Sequence, residues 1–327
     1  MHYFCTLFDS NYLTRGLALY RSLEATGTDF QLFIFAFDDL AYDMLTRLSL
    51  SRATIISMDE FEDERLRRIK GTRTQGEYCW TCSCFSIKYV LEHYHLPEVT
   101  YLDSDIYFFA TPDILLKEFD ASGADVLITG HRYTPRYDQT ATSGKYCVQF
   151  MTFKNNANGM QVLNWWCNRC DEWCYARFED GKFGDQKYLD DWPERFQGVH
   201  ELQHIGGGAA PWNIQQYLVT AGPQVDGQPV VFYHFHNLRL FDHQADLSSY
   251  QLSKSVRELI YRPYLVALAD IYQYLQRQGF PNFRQGILEW DAGRVHTVLR
   301  KLRRSLHGIN NFVSWSIDMG GKYDSSK

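Results

Sequence analysis

Nowhere in these 327 residues does an apolar run reach the roughly 18 residues that a helix needs to cross a bilayer. The opening MHYFCTLFDS lacks the basic stretch and apolar run of a signal peptide, so the chain is expected in the cytoplasm. Positive charge is not in excess: 33 Lys and Arg against 39 Asp and Glu leave a net charge of -6, which argues against a general nucleic-acid binder. Internal repeats and low-complexity linkers are missing too, which excludes solenoids and beads of small modules. What is present is globular in kind, with 45% apolar and 22% charged residues. Aromatics reach 16%, which suits stacking on sugar rings and bases and suits a large core equally well.

Eight cysteines need a reading that fits a reducing compartment. Cys79, Cys82 and Cys84 form one group, and Cys167, Cys170 and Cys174 another. Two C-x-x-C pairs are a zinc pattern. They lie far apart, however, in stretches rich in Trp and aliphatic residues. Cys167, Cys170 and Cys174 recur at one face of a helix, so a stripe of buried thiols is the expectation.

Apolar periodicity alternates between strand and helix from the start. Strands are expected at 3–8, 31–37, 54–57 and 99–103, and helices at 12–25, 40–48 and 78–94, the last halted by Pro97. That βαβα rhythm predicts a mainly parallel sheet with helices on both faces. Further strands are expected at 126–129, 148–153 and 229–235, with a Trp-bearing helix at 158–177. From about residue 250 only helices are read, at 252–276 and 291–306. The expected organisation is therefore one α/β domain over 1–245 and a helical extension over 246–327.

The segment TYLDSDIYFF holds Asp103-Ser104-Asp105, the only D-x-D in the chain. It closes an apolar strand, and open parallel sheets bind ligands beyond such strand ends. In extended chain, residues i and i+2 point the same way, so both carboxylates can face one point. Two adjacent carboxylates repel, and a divalent cation between them relieves that repulsion. Such an ion bridges phosphate oxygens and offsets charge on a departing diphosphate. Two solvated aspartates at a strand end are the plain alternative, but an acid pair set between VTYL and IYFF is poor surface chemistry. A late strand, VVFYHFHNLR, carries His234 and His236 on one face. An imidazole joining oxygen ligands shifts preference from magnesium toward manganese, and either His can be the third ligand.

Together these residues resemble the GT-A fold glycosyltransferases. The nearest likeness is to the retaining family that includes glycogenin and the bacterial lipooligosaccharide galactosyltransferases, and the chain looks closer still to uncharacterised bacterial members. The likeness runs from about Phe4 to Arg239. It implies a metal-dependent hexosyltransferase that takes a nucleotide-diphosphate sugar, UDP-linked, to a glycan or glycolipid acceptor in bacterial surface polysaccharide synthesis, with Mn2+ or Mg2+ as cofactor. On that resemblance, FCTLFDSNY places Leu7, Asp9 and Asn11 at the uracil and ribose, although Asp9 to Asn11 also suit a helix cap. Ser104 falls within the metal motif and Lys88 would reach toward the diphosphate. Asp103, Asp105 and His234 match the family's metal ligands.

The family's late motif continues to a Lys-Pro-Trp that this chain lacks, and Arg239 would replace the phosphate-binding lysine. Its D-Q pair matches Asp185-Gln186. Gln186 would lie near the anomeric carbon and Asp185 would hold sugar hydroxyls, or cap the turn after Gly184. An amide is a poor nucleophile, so the resemblance implies front-face attack in which the leaving phosphate takes the acceptor proton. A strand Asn of the family becomes Gln149 here, which implies a different sugar pocket. For an inverting transferase the base would come from Asp190, Asp191 or Glu194. Gly206 to Gly208 would allow close backbone approach to a ligand or simply a tight turn before Pro211. Trp212 would stack on an acceptor sugar or lie in the core. Arg294, Arg300, Lys301, Arg303 and Arg304 share one expected helix, whose basic face would rest on a membrane or on the domain. A binding protein without chemistry on the same fold is the rival from another class.

Overall fold

The computed structural model describes residues 1–289, 304 and 309–317. Its centre is a seven-stranded sheet in the order β3-β2-β1-β4-β7-β6-β8. The strands are β1 (His2–Phe8), β2 (Phe30–Ala36), β3 (Ala53–Ser57), β4 (Glu98–Leu102), β6 (Val126–Gly130), β7 (Tyr146–Lys154) and β8 (Val199–Glu201). A short β5 (Ile106–Phe108) lies outside it. Strands β3, β2, β1 and β4 run parallel, β7 runs against both β4 and β6, and β6 is parallel to β8. The sheet is mainly parallel, as the βαβα rhythm predicts.

Alternation decides which face each side chain covers. Phe4, Phe8, Leu32, Ile34 and Leu102 turn to one face. There they meet α1 (Leu13–Ala25), α2 (Asp39–Leu48) and α4 (Asp113–Ser122). Cys5, Leu7, Phe33, Phe35 and Tyr101 turn to the other, against α3 (Gln75–His93) and α5 (Ala157–Glu172). Both faces are covered, which is why the strands read as unbroken apolar runs. Helix starts follow their caps: Asp38 accepts from the Ala41 N–H, and Thr74 forms a capping box with Glu77 at the head of α3.

Cys84 and Cys167 to Cys174 sit where α3 meets α5, and all eight cysteines are free. The stripe of buried thiols is what the structure shows. The helix expected over 158–177 ends at Glu172, because Trp173 is extended.

The late strand is shorter than its apolar run. It breaks after a two-residue strand at Gln228–Pro229 and resumes as β9 (Phe232–His234), which pairs antiparallel with β5, Ile106 opposite His234. Beyond residue 245 the described chain is not helix alone. Strands β10 (Arg239–Phe241) and β11 (Gln244–Asp246) form a small four-stranded sheet with β12 (Ile287–Leu288) and β13 (Phe312–Ser314). Between them runs α6 (Arg262–Arg277), whose Leu268 and Tyr272 share one core with Phe4 and Leu17. Position 245 thus falls inside a hairpin, and the core is continuous across it. Of the basic helix, Arg304 alone is among the described residues, and it pairs with Asp246 at 2.6 Å. Arg294, Arg300, Lys301 and Arg303 lie outside them. No described helix is long and apolar enough to cross a membrane.

Candidate active site

The chain leaves the sheet at Leu102 and turns at once. The Asp103 N–H donates to the Gln149 carbonyl at 3.1 Å, and the Ile106 N–H donates back to the Asp103 carbonyl at 3.3 Å. The acid pair therefore sits in a turn, not in extended chain. Both carboxylates nonetheless lie near one imidazole, because β5 pairs with β9 and sets His234 against them. His234 Nε2 lies 3.1 Å from Asp105 Oδ1 and 3.8 Å from Asp103 Oδ2. The other ring nitrogen, Nδ1, is 2.8 Å from Gln149 Oε1. An amide oxygen accepts only, so Nδ1 carries the proton and the Nε2 lone pair faces two acids. A proton or a metal cation must stand there to relieve the repulsion.

The charges of the site bear this out. Burial opposes a charge on His234, yet Asp105 and Asp103 outweigh it and raise its pKa well above the ordinary value. Burial alone would lift Asp105, but His234, His236 and Arg15 hold it low. Burial and the Asp105 charge lift Asp103 in spite of His234. His236 lies beyond the strand with its ring 5.8 Å from that of His234, and burial and the His234 charge push it down to about 4. Its Nε2 is engaged with the Asn237 amide at 2.8 Å, so His234, not His236, faces the acid pair. Oxygen and nitrogen donors converging in one half-buried cleft fit a divalent ion.

Asp185 is buried on the far side. Burial and the Asp103 charge raise it to about 8, so it keeps its proton at neutral pH. The Ser83 hydroxyl, 3.4 Å from the Tyr101 hydroxyl, joins the region of Asp185 to that of Asp103 beneath the cleft. Gln186 donates its amide to the Ser143 carbonyl at 2.6 Å, which fixes its side chain. Asp9 accepts from the Asn11 and Tyr12 N–H groups at 3.0 and 3.1 Å and from the Gln75 amide at 2.7 Å. It caps its own turn and ties it to the head of α3. Asn11 donates its side chain to Asp9, Leu7 lies in the core beneath, and Ser104 is buried in the acid turn.

Other sequence candidates lie elsewhere. Lys88 donates to Asn164 at 2.7 Å and sits 3.7 Å from Glu92, between α3 and α5. Arg239 opens β10, opposite Asp246 in register. Asp190 accepts from the Lys145 N–H at 2.6 Å and pairs with Lys187 at 2.8 Å, while Asp191 pairs with Arg195 at 2.5 Å. Those partners engage both carboxylates. Gly206 serves close packing: a Cβ there would stand 1.9 Å from the Pro229 carbonyl oxygen. Trp212 is core, donating its indole N–H to the His131 carbonyl at 2.9 Å and packing edge-on against His234.

Three contributors escaped the sequence reading. Arg15 is buried beside Asp105, donating to the Leu238 and Asn11 carbonyls at 3.2 and 3.3 Å. Its place one helical turn after Asn11 was the available signal. Gln75 reaches Asp9 from another element, which no local pattern announces. Cys147 faces His234 from β7, two residues before Gln149, and the strand alternation of YCVQF would have put both on one side.

No family model matches the chain. It is 29% identical to YfnD of Bacillus subtilis (strain 168) over 299 residues, 88% of this chain and 94% of that protein. It is 30% identical to YfnF of the same organism over 284 residues, 84% of this chain and 93% of that one. Both relatives are uncharacterised. Among solved structures, the apo-form glycosyltransferase GlyE of Streptococcus pneumoniae TIGR4 superposes with a TM-score of 0.51 at 10% identity. That match covers 86% of this chain and 64% of GlyE, and the likeness is one of fold.

Proposed function

From the premise that this chain belongs to the family of Bacillus subtilis YfnF and has a GT-A type fold, we propose that it is a metal-dependent glycosyltransferase. It moves a hexose, with retention, from a UDP-linked sugar to a glycan or glycolipid acceptor in surface polysaccharide synthesis. The observation that carries this is His234 Nε2 lying 3.1 Å from Asp105 and 3.8 Å from Asp103 at the end of a central strand.

Asp103, Asp105 and His234 would hold Mn2+ or Mg2+. The ion supplies Lewis-acid stabilisation of charge on the diphosphate. The remaining work falls to the chain. Gln149 holds the His234 ring in one orientation, as outer partners of metal ligands do. Its own Nε2 is buried without a hydrogen-bond partner among the described residues, a donor left for a ligand. Asp9, fixed by Gln75, presents a carboxylate at the mouth of β1, where a base edge or ribose hydroxyl can be met. Asp185, whose carboxyl burial and the Asp103 charge push up toward the protonated form, would hold sugar hydroxyls. A protonated carboxyl is a poor nucleophile, and Gln186 is an amide, which supports front-face attack over a covalent intermediate.

The test is donor turnover by the purified chain with a panel of nucleotide sugars, with and without Mn2+, beside Asp103→Asn and Asp105→Asn. Each variant is expected to keep its circular dichroism spectrum and lose about 10²–10³ in turnover, the scale of losing one preorganised electrostatic stabiliser. Wild-type rates in both variants would reject the site. Nucleotide binding with no turnover on any acceptor would favour a binding protein.

A further inference from the structure

Rows of side chains along β7 bring a donor to the acid pair that an oxygen-and-imidazole site does not need. Cys147 and Gln149 are two apart on one strand, so they share a face. Gln149 holds His234 Nδ1, and Cys147 lies against the same imidazole. The Cys147 sulfur, one Asp103 carboxylate oxygen and a His234 ring nitrogen lie within 4.8 Å of one another. Among the described residues no other group of three His, Cys, Asp or Glu side chains gathers its ligand atoms so closely. Bonds of about 2.0 Å to nitrogen or oxygen and 2.3 Å to sulfur set ligand atoms roughly 3.3–3.5 Å apart around a tetrahedral ion, a spacing that small side-chain rotations bring within reach of three atoms gathered inside 4.8 Å. The other buried thiols, at the meeting of α3 and α5, have no such group around them.

We propose that the Cys147 thiolate is a ligand of the cation, beside Asp103 and His234, and that it makes the site favour thiophilic divalent ions of the zinc kind over magnesium. This rests on the metal reading of the same acids given above. A carboxylate and an imidazole accept many first-row ions, whereas a thiolate selects soft and borderline ones. Asp105, 3.1 Å from His234 Nε2, would then share the ion or meet the diphosphate. The dull alternative is that Cys147 only fills space against Ala210 and Trp212, with which it packs.

The chelator-treated full chain is titrated with cobalt(II), reading both the visible bands of bound cobalt and the near-ultraviolet charge-transfer band of a sulfur–cobalt bond. Zinc and manganese are then competed against the cobalt. Wild type is expected to show the sulfur band. Cys147→Ser is expected to lose it while still binding cobalt, and its preference for zinc over manganese should fall by about tenfold or more, as changes to metal-site partners do. Cys167→Ala, a control, should keep the band. If the serine variant does not fold, Cys147→Ala, which matches neighbouring Ala210, carries the same readings. Bound cobalt with no sulfur band, or a band unchanged without Cys147, overturns this inference and leaves the oxygen-and-imidazole site standing. Failure of cobalt to bind at all overturns the metal reading and this inference with it.

Discussion

Asp185 shows at the scale of one residue what burial does to an acid beside other acids. Desolvation and the Asp103 charge hold its pKa near 8, far above the value of about 4 expected in an unfolded chain. Between those two values the native protein keeps a proton that the unfolded chain has released. Stability contributed by that proton is complete below about pH 4 and is lost as pH rises toward 8. Asn has no charge to desolvate. Asp185→Asn should therefore raise the melting temperature of the metal-free protein at pH 8 and leave it nearly unchanged at pH 4. A gain that does not shrink as the pH is lowered would contradict the assignment. The same residue was legible in sequence only as half of an Asp-Gln pair. Its protonation could not be read there, because it depends on Asp103, 82 positions away in the chain and adjacent in space.

At the scale of elements, the loop from Gly206 to Trp212 connects the sheet to the His234 strand. Val231 donates its N–H to the Gly206 carbonyl at 2.8 Å, and His234 donates to the Ala209 carbonyl at 2.9 Å. The loop thus lies along β9 and sets its height. A Cβ at Gly206 would meet the Pro229 carbonyl oxygen at 1.9 Å, and a backbone atom cannot swing aside as a side chain can. Gly206→Ala should cost about 1–3 kcal/mol or more in urea unfolding and should lower metal affinity by displacing His234. An alanine variant with wild-type stability would show that the loop yields freely. The sequence marked these glycines as a close approach or a turn. It could not say that the approaching partner is backbone, because Pro229 belongs to a segment whose path the glycines themselves help to determine.

Across the whole molecule, the C-terminal part packs against the α/β core. Phe235, next to the candidate ligand His234, stacks on Tyr264 of α6 with ring centroids 3.7 Å apart. Trp315 is fully buried and donates its indole N–H to the Leu265 carbonyl at 3.1 Å. Trp315→Ala should destabilise the chain by about 3–5 kcal/mol, measured by the urea midpoint. Retained stability after that change would mean that the extension folds apart from the rest. A membrane role for the basic residues remains a proposal, and the one described member of that group, Arg304, is spent on Asp246.

What local chemistry dictates was readable in advance. Runs of LFIFAF and VTYL, set in an alternating βαβα rhythm, read as strands buried on both faces. The period of α1 marks one apolar face, and Asp103 and Asp105 between apolar runs read as an acid pair at a strand end. Those inferences need only neighbours within a few residues, which the sequence lists directly. The tertiary structure decided everything that needed a partner from afar: that His234 faces the acid pair while His236 turns aside, that Arg15 and Cys147 join the cleft, and that Lys88 binds between helices. The place of His234 and Cys147 depends on strand pairing, β5 with β9 and β4 with β7, and that of Arg15 and Lys88 on how helices pack; both are selected by burial of the whole core rather than by any motif within one element.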